Sequence, residues 1–248
     1  MWHRDVPILE ADPDPLRRGL RSAWRHTHWI LAGSALWSIG LLVALHTAEG
    51  SVARAVAVGG LLTLPGTAAL TVVADRIVVR ADCDTRALRS IPRRTWLRAL
   101  HVPAVGAALL ILAMGALLAL PGMPGALGLA AVTLCGAGLL AYTLLAPSAA
   151  ATASHRPTAP LRRVWLVAFL ATSARPVPVL GALCGLGLLT AAVWHLQILL
   201  FLAPGIAAIV LTAAAWATLI PMGLSPAPLR PTPSAQPIPA PHERNAYP

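Results

Sequence analysis

Few residues in this chain are placed to do chemistry. It has eight histidines, nine carboxylates and three cysteines in 248 residues. It has no lysine, so neither a Walker loop nor a Schiff-base amine is available. His-Glu-x-x-His and Gly-x-Ser-x-Gly are both absent, which removes the signatures of a zinc peptidase and of a hydrolase nucleophile elbow. His26 and His28 are two apart and point to different faces of a helix, with no cysteine or carboxylate nearby. They read as polar anchors at a membrane interface and not as metal ligands. His195 and Gln197 beside Trp194 admit two readings, contacts for a sugar-like ligand and a capped turn. Cys83, Cys135 and Cys184 are odd in number and far apart, and suggest neither a disulfide framework nor a metal knuckle. Asp75, Arg76 and Arg54 fall at the ends of apolar runs, where snorkelling accounts for them. No charged residue is expected inside a span, so the ion-coupling groups of a proton-driven carrier are not foreseen. The expectation is a protein that is not an enzyme, with no catalytic residue, cofactor or metal.

The elements that must position these residues are membrane helices. Hydrophobic residues make up 57% of the chain and charged residues 11%, whereas a soluble domain carries about 25% charge. The mean hydropathy is +0.70, and the apolar residues form long runs instead of amphipathic patterns. A hydrocarbon core needs roughly 20 helical residues per crossing. The run from His28 to Ala74 is interrupted by His46-Thr47-Ala48-Glu49-Gly50-Ser51, the run from Val102 to Ala153 by Pro121-Gly122-Met123-Pro124-Gly125, and the run from Val177 to Ile220 at His195 and Gln197. These breaks predict an all-α polytopic bundle of six spans in three hairpins, over 28–46, 52–74, 102–120, 125–146, 177–193 and 198–220. Residues 1–27 form a basic N-terminal segment, and the proline-dense stretch 221–248 is expected to be a disordered tail.

Arginine placement orients the bundle. Of the nineteen basic residues, only Arg54 falls near an outward loop, so the positive-inside rule predicts a multi-pass protein of the bacterial plasma membrane with both termini cytoplasmic. About 27 residues, four of them acidic, precede the first span, so this span is expected to be retained and not cleaved as a signal peptide. Arg17-Arg18, Arg93-Arg94 and Arg162-Arg163 each precede an inward-to-outward helix and sit among apolar residues at helical spacing. They read as basic amphipathic segments touching the anionic lipids of the inner leaflet. Because topology and lipid account for these arginines, no nucleic-acid partner is expected. Trp24, Trp29, Trp96, Trp165 and Trp216 fall where cytoplasmic interfacial indoles belong, and Trp194 at an outer turn. Trp37 alone is mid-helix and needs a partner in the bundle.

The returning helices share a Pro-Gly pair, at Pro65-Gly66, Pro124-Gly125 and Pro204-Gly205. Either the hairpins are repeats of one theme, as in many transporters, or short matches recur by composition. Pro65 is mid-helix, where it must kink the span, while Gly66 permits close helix approach and the hydroxyls of Thr63 and Thr67 can satisfy freed backbone. Pro65, Gly66, Thr67, Pro204 and Gly205 are therefore a candidate hinge or small polar site, with a plain packing kink as the alternative. Residues 64–70, Leu-Pro-Gly-Thr-Ala-Ala-Leu, followed by Asp75-Arg76 and a basic loop, resemble the Gly-Pro-Ala-Thr-Ala-Ala-Leu signature of the YesL-like family of bacterial membrane proteins. Leu64 stands for the family glycine, Gly66 for the alanine, and Thr71 where an aromatic is common. The resemblance implies an accessory or scaffold component beside carbohydrate ABC transporter permeases, and no catalytic residue. The alternative is a small autonomous transporter or facilitator with Pro-Gly hinges.

Overall fold

A computed structural model describes residues 21–224, apart from 81, 82, 84, 90, 123 and 157. Arg17, Arg18 and residues 225–248 of the proline-dense tail lie outside the described residues. In chain order the helices are α1 (Thr27–Thr47), α2 (Val52–Leu62), α3 (Leu64–Arg80), α4 (Thr85–Arg89), α5 (Arg93–Ala119), α6 (Gly125–His155), α7 (Leu161–Ala174), α8 (Val177–His195) and α9 (Ala203–Leu219). No strand occurs among the described residues. Helices α1, α5, α6, α8 and α9 are each long and apolar enough to cross a membrane, and α2 with α3, bent by 44°, makes a sixth when the pair is counted as one broken span. The chain is an all-α membrane bundle of three hairpins.

Each hairpin turns by the local chemistry its sequence provides. Between α1 and α2, Glu49 and Gly50 take left-handed backbone angles (φ 49° and 79°). The Ser51 hydroxyl then caps α2 by accepting from the Arg54 N–H at 3.4 Å, and the Arg54 guanidinium pairs with Glu49 at 2.9 Å. Pro121 and Gly122 close the second hairpin in a 3₁₀ turn, and α6 begins directly after Pro124. Leu196 alone separates α8 from the 3₁₀ turn Gln197–Phe201 that leads into α9.

Two spans extend further than the apolar runs predict, toward the end of the bundle where the arginine-rich connections lie. α5 begins at Arg93 instead of 102, because Trp96, Ala99 and Leu100 pack with Ile91, Ala68 and Val72. α6 continues past 146 to His155, because Ala149, Ala151 and Ala153 are buried in the bundle. Part of that cover comes from α7, whose Val164 and Ala168 join Ala149 and Ala153 in one cluster. α7 is thus the expected amphipathic segment around Arg162-Arg163, but its buried stripe faces protein. Arg162 and Arg163 are exposed, as are Arg93 and Arg94 at the start of α5.

The break between α2 and α3 falls at Thr63, two residues before Pro65, since the proline ring crowds the carbonyl four residues earlier and disturbs the preceding turn. The threonine hydroxyls do not turn to the Leu61 carbonyl that Pro65 deprives of its donor; each bonds a carbonyl that already accepts a backbone N–H. The Thr63 hydroxyl donates to the Gly59 carbonyl at 2.6 Å and the Thr67 hydroxyl to the Thr63 carbonyl at 2.9 Å. α3 and α9 supply the centre of the core, with Val73, Ile77 and Val78 against Ile209, Ala213 and Leu219. Leu112, Leu134 and Leu188 project outward from α5, α6 and α8, as lipid-facing side chains do in a medium as apolar as themselves.

Candidate functional site

Three polar residues distant in sequence meet inside the bundle: Asp75 on α3, His155 at the end of α6 and Trp216 on α9. The Trp216 indole N–H donates to Asp75 Oδ1 at 2.9 Å, and His155 Nε2 lies 2.7 Å from Asp75 Oδ2. The imidazole meets the indole edge-on, with ring centroids 4.9 Å apart and planes at 88°. Indole can only donate, so Oδ1 accepts; the second contact must share one proton between Oδ2 and Nε2. Asp75 is 7% exposed and Trp216 3%, and Trp216 belongs to the buried core with Ile77, Cys83, Ala151 and Ala171.

This corrects the sequence reading of two residues. Asp75 does not snorkel from a helix end; it is a buried carboxylate whose two oxygens each have a partner. Trp216 is not an interfacial anchor but one of those partners. Burying an unpaired carboxylate in hydrocarbon is strongly unfavourable, so the cluster stands only because α3, α6 and α9 deliver all three groups together. A signal for it is present in the chain. Thr67, Thr71 and Asp75 recur at intervals of four, Ser148, Thr152 and His155 share one face of α6, and Thr212 precedes Trp216 by one turn. The Ser148 hydroxyl also lies 3.4 Å from the hydroxyls of both Thr172 and Thr218, all of them buried. Read helix by helix, such polar stripes are easily taken for ordinary hydroxyls in a membrane span.

Directly along these helices lies a cavity of about 550 Å³. α3 contributes Thr67, Leu70 and Thr71, one to two turns before Asp75, and α9 contributes Pro204 to Thr212, the last one turn before Trp216. Tyr142 and Ala150 of α6, Val102 and Pro103 of α5, and Trp37 of α1 complete one side. Leu183, Leu186, Leu189, Thr190 and Val193, on one face of α8, form the other. Trp37, which the sequence leaves needing a partner, thus lines this cavity. α8 packs on α9 but scarcely touches α6, so the cavity's mouth lies beside α8.

The candidate hinge residues divide around this space. Thr67 and Pro204 line the same cavity, whereas Pro65 is exposed. The glycines each close on α1 and not on one another. A Cβ on Gly66 would sit 2.7 Å from the Trp37 Cα, and one on Gly205 would meet Ile30 Cγ2 and the Ser34 hydroxyl. α1 is therefore wedged against Gly66 and Gly205. His195 and Trp194 are exposed at the turn after α8. No group of three or more metal-ligating side chains occurs among the described residues. No protein-family model, curated protein or solved structure matches the chain.

Proposed function

We propose that the protein is a small, non-enzymatic carrier or facilitator of a bacterial plasma membrane, with both termini cytoplasmic. The observation that carries this reading is the juxtaposition on α3, α6 and α9 of a solute-sized cavity with a buried Asp75–His155–Trp216 cluster about one helical turn beyond it. An ionisable pair inside a membrane bundle is the usual mark of a transport pathway, and a cavity of this volume is in the range that holds a small molecule. The bent α2–α3 crossing, with Thr67 on the cavity wall, supplies a place for the pathway to flex. Arg93, Arg94, Arg162 and Arg163 contact anionic lipid at the inner face in this orientation.

The test begins with molecules that the purified protein retains from its native membrane. Each is offered on one side of sealed vesicles containing the reconstituted protein. Protein-dependent passage is expected, and Ala207→Phe, which fills the cavity without touching Asp75, should abolish it while the protein remains monodisperse. Passage of every retained molecule at the rate of protein-free vesicles would overturn the reading.

A second reading, an accessory component beside carbohydrate ABC permeases, draws on the YesL-like resemblance of residues 64–70. One structural feature favours it. Gly181 and Gly185 on α8 face open space, and glycines four apart let a partner helix approach closely. Copurification with permeases at a fixed ratio would support this role, and recovery of the protein alone would count against it.

A further inference from the structure

We propose that the cavity is a binding site for one acyl chain of a membrane phospholipid, which enters sideways past α8. This rests on the carrier reading and names the class of molecule held. Its basis is the state of the polar groups on the wall. The hydroxyls of Thr67, Thr71, Thr143 and Thr190 donate to carbonyls three or four residues earlier on their own helices, at 2.8 to 2.9 Å. The Tyr142 hydroxyl donates across to the Val102 carbonyl at 3.1 Å. Among the described residues, the Thr212 hydroxyl and the Trp37 indole are the side-chain donors on this wall not engaged in a hydrogen bond. A sugar or other polar solute gives up many bonds to water on entry, and two free donors with a few scattered hydroxyl acceptors cannot replace them. A hydrocarbon chain gives up none.

Shape and surroundings agree with this chemistry. The wall runs from Leu183 to Val193 on α8 and from Ala203 to Thr212 on α9, which at 1.5 Å per residue is a slot about 13 to 15 Å long. That is roughly half of a 30 Å hydrocarbon core, the depth of one leaflet. The medium outside the mouth is lipid, because the neighbouring faces of α6 and α8 present exposed Leu140 and Leu188. A chain from the adjoining leaflet therefore exchanges one apolar contact for another on entry.

Trp37 provides the test, because bromine atoms on an acyl chain quench indole emission on contact. The full-length protein is reconstituted in phosphatidylcholine with or without dibrominated chains, and the Trp37 contribution is taken as the difference between wild type and Trp37→Phe. The expected result is loss of the Trp37 emission in brominated vesicles and its return in Ala207→Phe, whose ring occupies the slot. A Trp37 contribution unchanged by bromine would overturn the proposal. So would equal quenching in Ala207→Phe, which would place the contact outside the slot. Native mass spectrometry of the wild type gives a second measurement that does not depend on a variant. One phospholipid retained per protein supports the site; no lipid, or an isoprenoid in its place, overturns it. Failure here is separable from failure of the carrier reading. A quenched Trp37 in a protein that moves nothing leaves the site and removes the carrier, and an unquenched Trp37 in a protein that passes a polar solute does the reverse.

Discussion

Removing the imidazole of His155 should cost far more than removing an ordinary hydrogen-bonding side chain, and the geometry says why. Asp75 is 7% exposed, and its two oxygens are served separately by Trp216 at 2.9 Å and His155 at 2.7 Å. In His155→Ala the Oδ2 atom keeps its burial and loses its only proton-sharing partner. Truncating one member of a buried pair costs about 3–5 kcal/mol, much of it the penalty of the stranded partner. Asp75→Asn removes that penalty, because a neutral amide has no charge to strand and its carbonyl still accepts from Trp216. The double variant Asp75→Asn/His155→Ala should therefore be more stable than His155→Ala alone, with a coupling of about 2 kcal/mol or more. The assay is reversible unfolding from mixed micelles into dodecyl sulfate, followed by tryptophan emission, for wild type, both single variants and the double variant. If His155→Ala costs less than about 1 kcal/mol, or the two losses simply add, the pair is not the compensated buried unit described here.

Two further outcomes follow from close contacts and exposure. Gly66→Ala places a Cβ 2.7 Å from the Trp37 Cα and 2.8 Å from its nitrogen; these are backbone atoms, so α1 and α3 must part, at a cost of about 1–3 kcal/mol. Gly115→Ala, whose Cβ meets nothing within 4 Å, is the control and should be neutral or stabilising by up to about 1 kcal/mol through helix propensity; equal losses at both sites would refute the close packing of α1 on α3. A membrane-permeant maleimide should label exposed Cys184 on α8 well before Cys83, which is 2% exposed, and dodecyl sulfate unfolding should erase the difference. Equal rates in the folded protein would contradict the packing around α4.

The long apolar helices are legible in the chain because they follow from local quantities: about twenty apolar residues in a row and a polar or Pro-Gly break between them. The bend at Thr63 is legible for the same reason, since Pro65 acts on the turn beside it through its missing N–H and its ring. The lengths of α5 and α6 are less legible, because Ala99 and Ala149 are helical beyond the apolar run through contacts with residues far along the chain.

What the sequence by itself determined is which runs are long and apolar enough to cross a membrane and where they are interrupted, consequences of hydrophobicity and backbone chemistry within a window of one span. The tertiary structure alone decided that Asp75 is buried, that His155 and Trp216 are its partners, that α1 is wedged against Gly66 and Gly205, and that threonines on four helices line one space. Burial of a carboxylate depends on which groups arrive opposite it, and residues 75, 155 and 216 share no local pattern. Only the packing of α3, α6 and α9 brings the His155 imidazole and the Trp216 N–H each within 3 Å of an Asp75 oxygen.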